Sequence, residues 1–317
     1  MKKILITGGK GTIGSGLIDE LTARGHLVYS IDISHGQEEI GFSLRTDVKK
    51  PTYARCDVGE YRQVERIFET WGPFDYVYHC AAEFGRWNGE DFYEQLWKTN
   101  VIGTKNLIRL QEKYKFRLIH FSSSEVYGDY PNVMVESVMD NYEIRQMNDY
   151  AMTKWVNEMQ INNARIQHQT ESVVVRIFNT YGPGEYYSPY RSVNCRFIYC
   201  ALRGLPWVVF QGYTRTSTYL QDSVTTLCNI INNFKPGEVY NVGGDQYHTV
   251  EEFSDLVLKV TGADPSLVLY KGDEVLTTRH KKVDISKAIA DLNHQTTVSL
   301  EEGITKTVNW MRKVYQF

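Results

Sequence analysis

The sequence predicts an α/β fold: a Rossmann-type doubly wound parallel sheet with a smaller α/β part appended to it. Three observations predict it. Apolar runs of strand length alternate with helical patterns through the first half of the chain. A glycine-rich turn, Gly8 to Gly14, follows the first run and opens a helix. After Gly184 the composition shifts to tyrosine, serine and arginine without a clean period, which marks a different kind of surface.

The first stretch organises the rest. Ile4-Leu5-Ile6 is a short apolar run suited to a buried parallel strand, and Leu17, Ile18 and Leu21 then fall at helical spacing. Between them, Gly8, Gly11 and Gly14 let the backbone turn sharply, approach a pyrophosphate and pack helix against strand. The helix N-terminus around Thr12 and Ile13 turns free N–H groups and the positive dipole end toward phosphates. Leu27-Val28-Tyr29-Ser30-Ile31 then runs into Asp32, about twenty residues beyond the glycines, where a carboxylate accepts hydrogen bonds from a ribose. It would repel a 2′-phosphate, so NAD is expected rather than NADP.

Composition narrows the class. The chain has 317 residues, 42% hydrophobic and 23% charged, with a net charge of −3. That length suits one large domain or two. No basic excess argues for nucleic acid or an anionic membrane. The five cysteines are scattered without zinc spacing, so no metal site is expected and the thiols are expected reduced. No apolar stretch reaches spanning length, and a cytoplasmic location is expected.

Beyond Asp32 comes a polar loop from His35 to Lys50. Tyr53–Cys56 is a short strand candidate ending at Asp57-Val58. Asp57 is read either as an acceptor for an adenine amino group or as the N-cap of a helix over Tyr61–Thr70. Phe74–Ala82 is the next strand, and the small Ala81 and Ala82 leave room for a nicotinamide ribose. His79 is read as a packed strand residue. A long helical pattern covers Phe92–Tyr114, with Thr99 and Asn100 able to reach the cofactor side. Arg117–Phe121 delivers Ser122-Ser123-Ser124-Glu125 to the carboxyl edge of the sheet, where ligands bind in such folds.

Asn148–Lys154 opens a helix running to about Ala164, which puts Tyr150 and Lys154 one turn apart on one face. An ammonium beside a phenol lowers the phenol's pKa and makes it a usable base. Ser172–Asn179 and Pro206–Phe210 read as strands, and Gly237–Gly244 as a last strand and turn. Thr249–Glu252 carries a capping-box pattern, and Ser299–Ile304 begins the terminal helix.

Together these residues resemble the extended short-chain dehydrogenase/reductases, in the nucleotide-sugar epimerase/dehydratase group. The resemblance covers the whole length. It rests on Thr7-Gly8-Gly9-x-Gly11-x-x-Gly14, Asp32, Asp57-Val58, His79-x-Ala81-Ala82, Asn100-x-x-Gly103-Thr104 and Ser122-Ser123-Ser124-x-Val126-Tyr127-Gly128. It continues in Tyr150-x-x-x-Lys154, Arg176-x-Phe178-Asn179-x-Tyr181-Gly182-Pro183, Arg215 seven before Asp222, and Asn241-x-Gly243. It implies an NAD site from Gly8, Gly11, Thr12, Ile13, Gly14, Asp32, Asp57, Val58, Ala81, Ala82, Asn100 and Lys154. It also implies two parts: residues 1–178 and 216–244 for the cofactor, and 179–215 with 245–317 for the nucleotide sugar.

The resemblance further implies a mechanism. Ser123 orients the sugar, and Tyr150, assisted by Lys154, removes the proton of its 4-hydroxyl while hydride leaves carbon 4. Asn179 and Arg215 match positions that contact the substrate diphosphate. A ketone at carbon 4 acidifies the hydrogen on carbon 5, so a second base permits elimination, epimerisation or decarboxylation. Ser123-Ser124-Glu125 is similar to the Thr-Ser-Glu of GDP-mannose 4,6-dehydratases and UDP-glucuronate decarboxylases. It departs from the Thr-Asp-Glu of dTDP-glucose dehydratases, because Ser124 stands where an aspartate protonates the leaving hydroxyl. Glu125 is thus the expected carbon-5 base, and a 4,6- or 5,6-dehydratase the expected enzyme. A 4-epimerase and a UDP-glucuronate decarboxylase are the alternatives, the latter needing an arginine such as Arg86, Arg191 or Arg279 at the substrate carboxylate. A non-catalytic NAD-binding sensor is the remote one. A nucleotide-diphosphate sugar is the implied partner, and a homodimer packed through Phe92–Tyr114 and Tyr150–Ala164 the implied assembly.

Overall fold

The structure is a computed structural model that describes residues 1–34 and 52–316, so the loop expected over His35–Lys50 lies outside the described residues. A seven-stranded sheet forms the centre. From one edge to the other, its strands are Val239–Val242, Ser172–Ile177, Arg117–Ser123, Tyr76–His79, Lys3–Thr7, Leu27–Asp32 and Tyr53–Arg55. Every neighbouring pair is parallel. The chain winds outward from Lys3–Thr7 in one direction, then returns and builds the other side from Tyr76–His79. The reversal opens a crevice at the carboxyl ends of those two strands, and a ligand site is expected there.

Strand alternation explains the two-sided burial. Ile4 and Ile6 join one apolar cluster and Leu5 the opposite one; Val173 and Val175 likewise face away from Val174. The first face is covered by helices Thr12–Ala23 and Leu220–Asn229 through Leu17, Leu21, Val224 and Leu227. The second is covered by Tyr61–Trp71, Gly103–Tyr114 and Asp149–His168 through Val64, Phe68, Leu107, Ile108 and Ile161. A third cluster draws only on residues beyond the sixth sheet strand, among them Tyr181, Phe197, Trp207, Phe253, Ile304 and Met311.

Several expected elements differ from those observed. The helix expected over Phe92–Tyr114 is interrupted: Tyr93–Trp97 leads into a π-helical turn, Lys98–Ile102, before Gly103–Tyr114. Such turns push a side chain off the regular face, and this one carries Thr99 and Asn100. Val239–Val242 is not the last strand. Tyr247–Thr249 and Val268–Lys271 follow, the latter pairing in parallel with Trp207–Phe210; its outward Leu269, Tyr270 and Lys271 gave no alternating pattern to read. The helix opened by Asn148 continues to His168, with the Asn148 side chain accepting from Ala151 N at 2.8 Å. The capping box at Thr249 and Glu252 is present.

Candidate active site

The glycine turn is a tight backbone cradle. Gly8 adopts φ +71°, and a Cβ there would lie 2.7 Å from Ala81 N. A Cβ on Gly14 would come within 2.1 Å of Gly8 O, so only glycine lets the helix start this close to the strand. Asp32, ending the next strand, accepts Lys10 N and Ser34 N, both at 3.0 Å. Gly8, Gly11, Thr12, Ile13, Gly14, Asp32, Asp57, Val58, Ala81 and Ala82 all line one cavity of about 460 Å³. The donor set fits a dinucleotide: a glycine-rich turn before a helix N-terminus for the pyrophosphate, and a strand-end carboxylate for the ribose.

Two cofactor-side expectations need correction. Asp57 is not a helix N-cap. That position is Glu60, whose side chain makes no cap bond, while the Asp57 carboxylate accepts Gly59 N at 2.8 Å and Lys98 Nζ at 3.1 Å. Asn100 is 1% exposed and turns away from the cavity. Its amide clamps both backbone groups of Glu83, at 2.8 and 3.0 Å, and reaches Thr153 Oγ1 at 3.0 Å. The π-helical turn aims Thr99 at the cavity instead, so Asn100 shapes the loop after Ala82. His79 is structural, held between Thr7 Oγ1 and Thr104 Oγ1, and burial pushes it down to about 3.

At the end of Arg117–Ser123 the chain turns into a short 3₁₀ segment, Ser124–Tyr127, capped by Ser123 Oγ, which accepts Glu125 N at 3.2 Å. That turn faces Ser123, Ser124 and Glu125 into the cavity that also receives Tyr150 and Lys154. The Tyr150–Lys154 relation is not the expected one. Burial pushes Tyr150 up to about 12, with the Ser123 hydroxyl partly offsetting it and the Glu125 charge adding to it. Lys154 instead donates to Phe121 O at 2.8 Å, with its Nζ 5.8 Å from the Tyr150 ring centroid. Burial pushes Lys154 down to about 8. The phenol is therefore protonated in the free protein.

Asn179 lines the cavity at φ +38°, tied to Thr216 O at 3.2 Å. Arg215 lines it too, but its guanidinium already donates to Thr214 O at 2.7 Å, Arg279 O at 3.0 Å and Thr277 Oγ1 at 3.4 Å. Arg86 and Arg191 also reach the cavity. Arg86 pairs with Glu274, and Arg191 lies 4.1 Å over the Phe84 ring. Arg279 turns to Asp273 at 3.4 Å and to the Tyr213 ring.

Sequence reasoning missed Lys281. It is 2% exposed and forms an ion pair with Glu125 Oε1 inside the cavity. Its backbone is pinned to Thr214, and Val283 bridges to Met134, so the segment is held on both sides. Burial pushes Glu125 up, but Lys281, Arg86 and Arg215 together hold it below its ordinary value. Glu125 Oε2 is buried without a hydrogen-bond partner among the described residues. No sequence signal marks Lys281, since Arg279-His280-Lys281-Lys282 reads as a solvated charge run.

Arg176, singled out by the resemblance, stands behind the site. It is buried in a bidentate pair with Glu158 at 3.1 and 2.7 Å, and Glu158 also accepts from Ser122. Tyr127 joins Arg176 to Asn241 at 2.9 and 2.7 Å. This network fixes the strand end that carries Ser123.

The chain is similar over its whole length to enzymes of three reactions. It is 31% identical to UDP-glucuronic acid decarboxylase 1 of Xenopus tropicalis, over 98% of this chain and 72% of that protein. It is 26% identical to dTDP-glucose 4,6-dehydratase of Salmonella typhimurium, over 97% of this chain and 92% of that protein. The structure of UDP-glucose 4-epimerase from Thermotoga maritima with UDP-glucose superposes with a TM-score of 0.86 at 29% identity, covering 98% of this chain and 99% of that one. Residues 4–243 match the NAD dependent epimerase/dehydratase family, and with the glycine cradle, Asp32 and the Ser123–Tyr150–Lys154 cavity in place, the chain belongs to that family and takes NAD as its cofactor.

Proposed function

We propose that the protein is an NAD-dependent nucleotide-sugar dehydratase working through a transient 4-keto sugar. The observation that carries this reading is the buried Glu125–Lys281 pair in the cavity of Ser123 and Tyr150. A 4-epimerase only lends a hydride and takes it back, so it has no use for a carboxylate and an ammonium beside carbon 5. Bound NAD would supply the acceptor for the carbon-4 hydride and a positively charged ring that would favour the phenolate. Ser123 holds the 4-hydroxyl, Tyr150 takes its proton, and Lys154 supplies positive charge nearby. Glu125 then takes the carbon-5 proton through its free oxygen. Asn179 and Arg215 hold the substrate diphosphate.

Residues 1–178 with 216–244 serve the cofactor, and 179–215 with 245–317 the nucleotide sugar; the separate third cluster supports that division. Exposed Met152, Met159 and Ile166 recur every seven residues along one helix, which supports a homodimer through this helix and its neighbour. We place the enzyme in the cytoplasm. No helix among the described residues is long and apolar enough to cross a membrane.

A decarboxylase is the second reading. Arg86 flanks the Glu125–Lys281 pair, and such a cation suits a substrate carboxylate. Mass spectrometry of products from UDP-, GDP-, CDP- and dTDP-hexoses and UDP-glucuronate separates the readings. Loss of water from a hexose is expected. Loss of carbon dioxide from the uronate would install the second reading, and an isomer of unchanged mass would make the protein an epimerase.

A further inference from the structure

Elimination of a hydroxyl needs a proton donor as well as a base, and the cavity offers few. The hydroxyls of Ser123 and Ser124 are too weakly acidic, burial pushes Tyr150 up to about 12, and the Cys80 thiol is pushed up by burial as well. Arg86 and Arg215 are guanidinium groups, which do not give up a proton at working pH. Glu125 is held ionised. Glu185, which burial pushes up to about 7, is a proton donor, but it stands by Ser192 and Cys195 next to Gly184, whose carbonyl accepts from Thr12 at the glycine turn. Lys154, pushed down to about 8 like Lys281, is committed to Phe121 O, whereas Lys281 touches the base itself. It holds Glu125 Oε1 and leaves Oε2 without a partner, so the pair presents an open carboxylate oxygen and an ammonium side by side.

We infer that Lys281 is the acid of the elimination, protonating the oxygen that leaves carbon 6 while the free oxygen of Glu125 takes the proton from carbon 5. The inference rests on the dehydratase reading. The step balances. The electron pair of the carbon-5–hydrogen bond becomes the carbon-5–carbon-6 double bond, the carbon-6–oxygen bond breaks, and the oxygen leaves as water with the Lys281 proton. Bound NAD would carry the carbon-4 hydride to carbon 6, Glu125 gives its proton to carbon 5, and solvent reprotonates Lys281. Burial pushes Lys281 down to about 8 while its partner stays ionised, so near neutral pH each group carries the charge its role needs.

Lys281→Arg tests this, because arginine keeps the ion pair with Glu125 but cannot donate the proton. The variant is expected to reduce bound NAD with substrate and to exchange the carbon-5 hydrogen in heavy water, while losing water at least ~10²-fold more slowly. A 6-deoxy-6-fluoro nucleotide sugar, whose fluoride leaves unprotonated, is expected to restore elimination in Lys281→Arg and, as a check on folding, in Lys281→Gln. Water loss at the wild-type rate in Lys281→Arg would overturn the inference, as would failure of the fluoro substrate in both variants. The same pattern from Glu185→Gln, with Lys281→Arg unaffected, would move the acid to Glu185. Should the wild type release water from no hexose, the dehydratase reading itself falls, and that is seen before any variant is made.

Discussion

Lys154 reaches past Tyr150 to the carbonyl of Phe121, 2.8 Å away, and leaves the phenol to be governed by burial. The strand that ends in Ser122 and Ser123 thus also anchors the lysine. Tyr150→Phe should lower hydride transfer ~10²–10⁴-fold and leave NAD bound. Stopped-flow absorbance of the reduced nicotinamide, with NAD affinity from calorimetry, tests it; normal reduction in the variant would remove Tyr150 as the base.

Glu125→Gln keeps the shape of the side chain and its contact with Lys281 but cannot take a proton. Bound NAD should still be reduced by substrate, while carbon-5 exchange and water loss fall ~10²-fold or more. Final product formed at the wild-type rate would exclude Glu125 from the second step.

Glycine at position 14 is a packing requirement. A Cβ there would stand 2.1 Å from Gly8 O, backbone that cannot yield without moving the turn. Gly14→Ala should cost about 1–3 kcal/mol of stability and weaken NAD binding at least ~10-fold through the displaced cradle. Thermal melts with and without NAD measure both; unchanged affinity would mean the cofactor does not touch this turn.

Glu158 and Arg176 are 6% and 2% exposed and neutralise one another behind Ser122. Glu158→Gln leaves the guanidinium buried without its counter-charge and should cost about 3–5 kcal/mol. Urea denaturation reads this directly. A cost below about 1 kcal/mol would mean that solvent reaches the pair.

Burial holds Lys154 and Lys281 near 8, below their ordinary 10.5. Between those values the unfolded chain binds more protons than the folded one, so these lysines make stability rise with pH across that window and cost most below it. Buried thiols such as Cys56 and Cys228, pushed up to about 12, act in the opposite sense above about pH 8.5. The difference between wild type and Lys281→Met isolates the lysine. Wild type should gain on the variant as pH rises from 8 toward 10, and a constant difference would show that Lys281 keeps its ordinary pKa.

The sequence by itself determined what repeats locally. Ile4-Leu5-Ile6, the glycine spacing and Asp32 specify a strand, a turn and a helix from neighbouring residues alone, and Tyr150 and Lys154 are paired by one helical turn. Tertiary structure decided everything that depends on distant segments meeting. Lys281 lies 156 residues from Glu125 in a run that looks solvated, and the backbone pairing of its segment with Thr214 on one side and Met134 on the other turns it inward. Asn100 has the composition of a cofactor ligand, yet a π-helical turn rotates it onto Glu83. Lys154 keeps its predicted place on the helix, but the carbonyl at the end of a separate strand decides where its charge goes. Short-range propensity cannot encode these choices, because each is set by which buried polar group finds a partner once the sheet has closed.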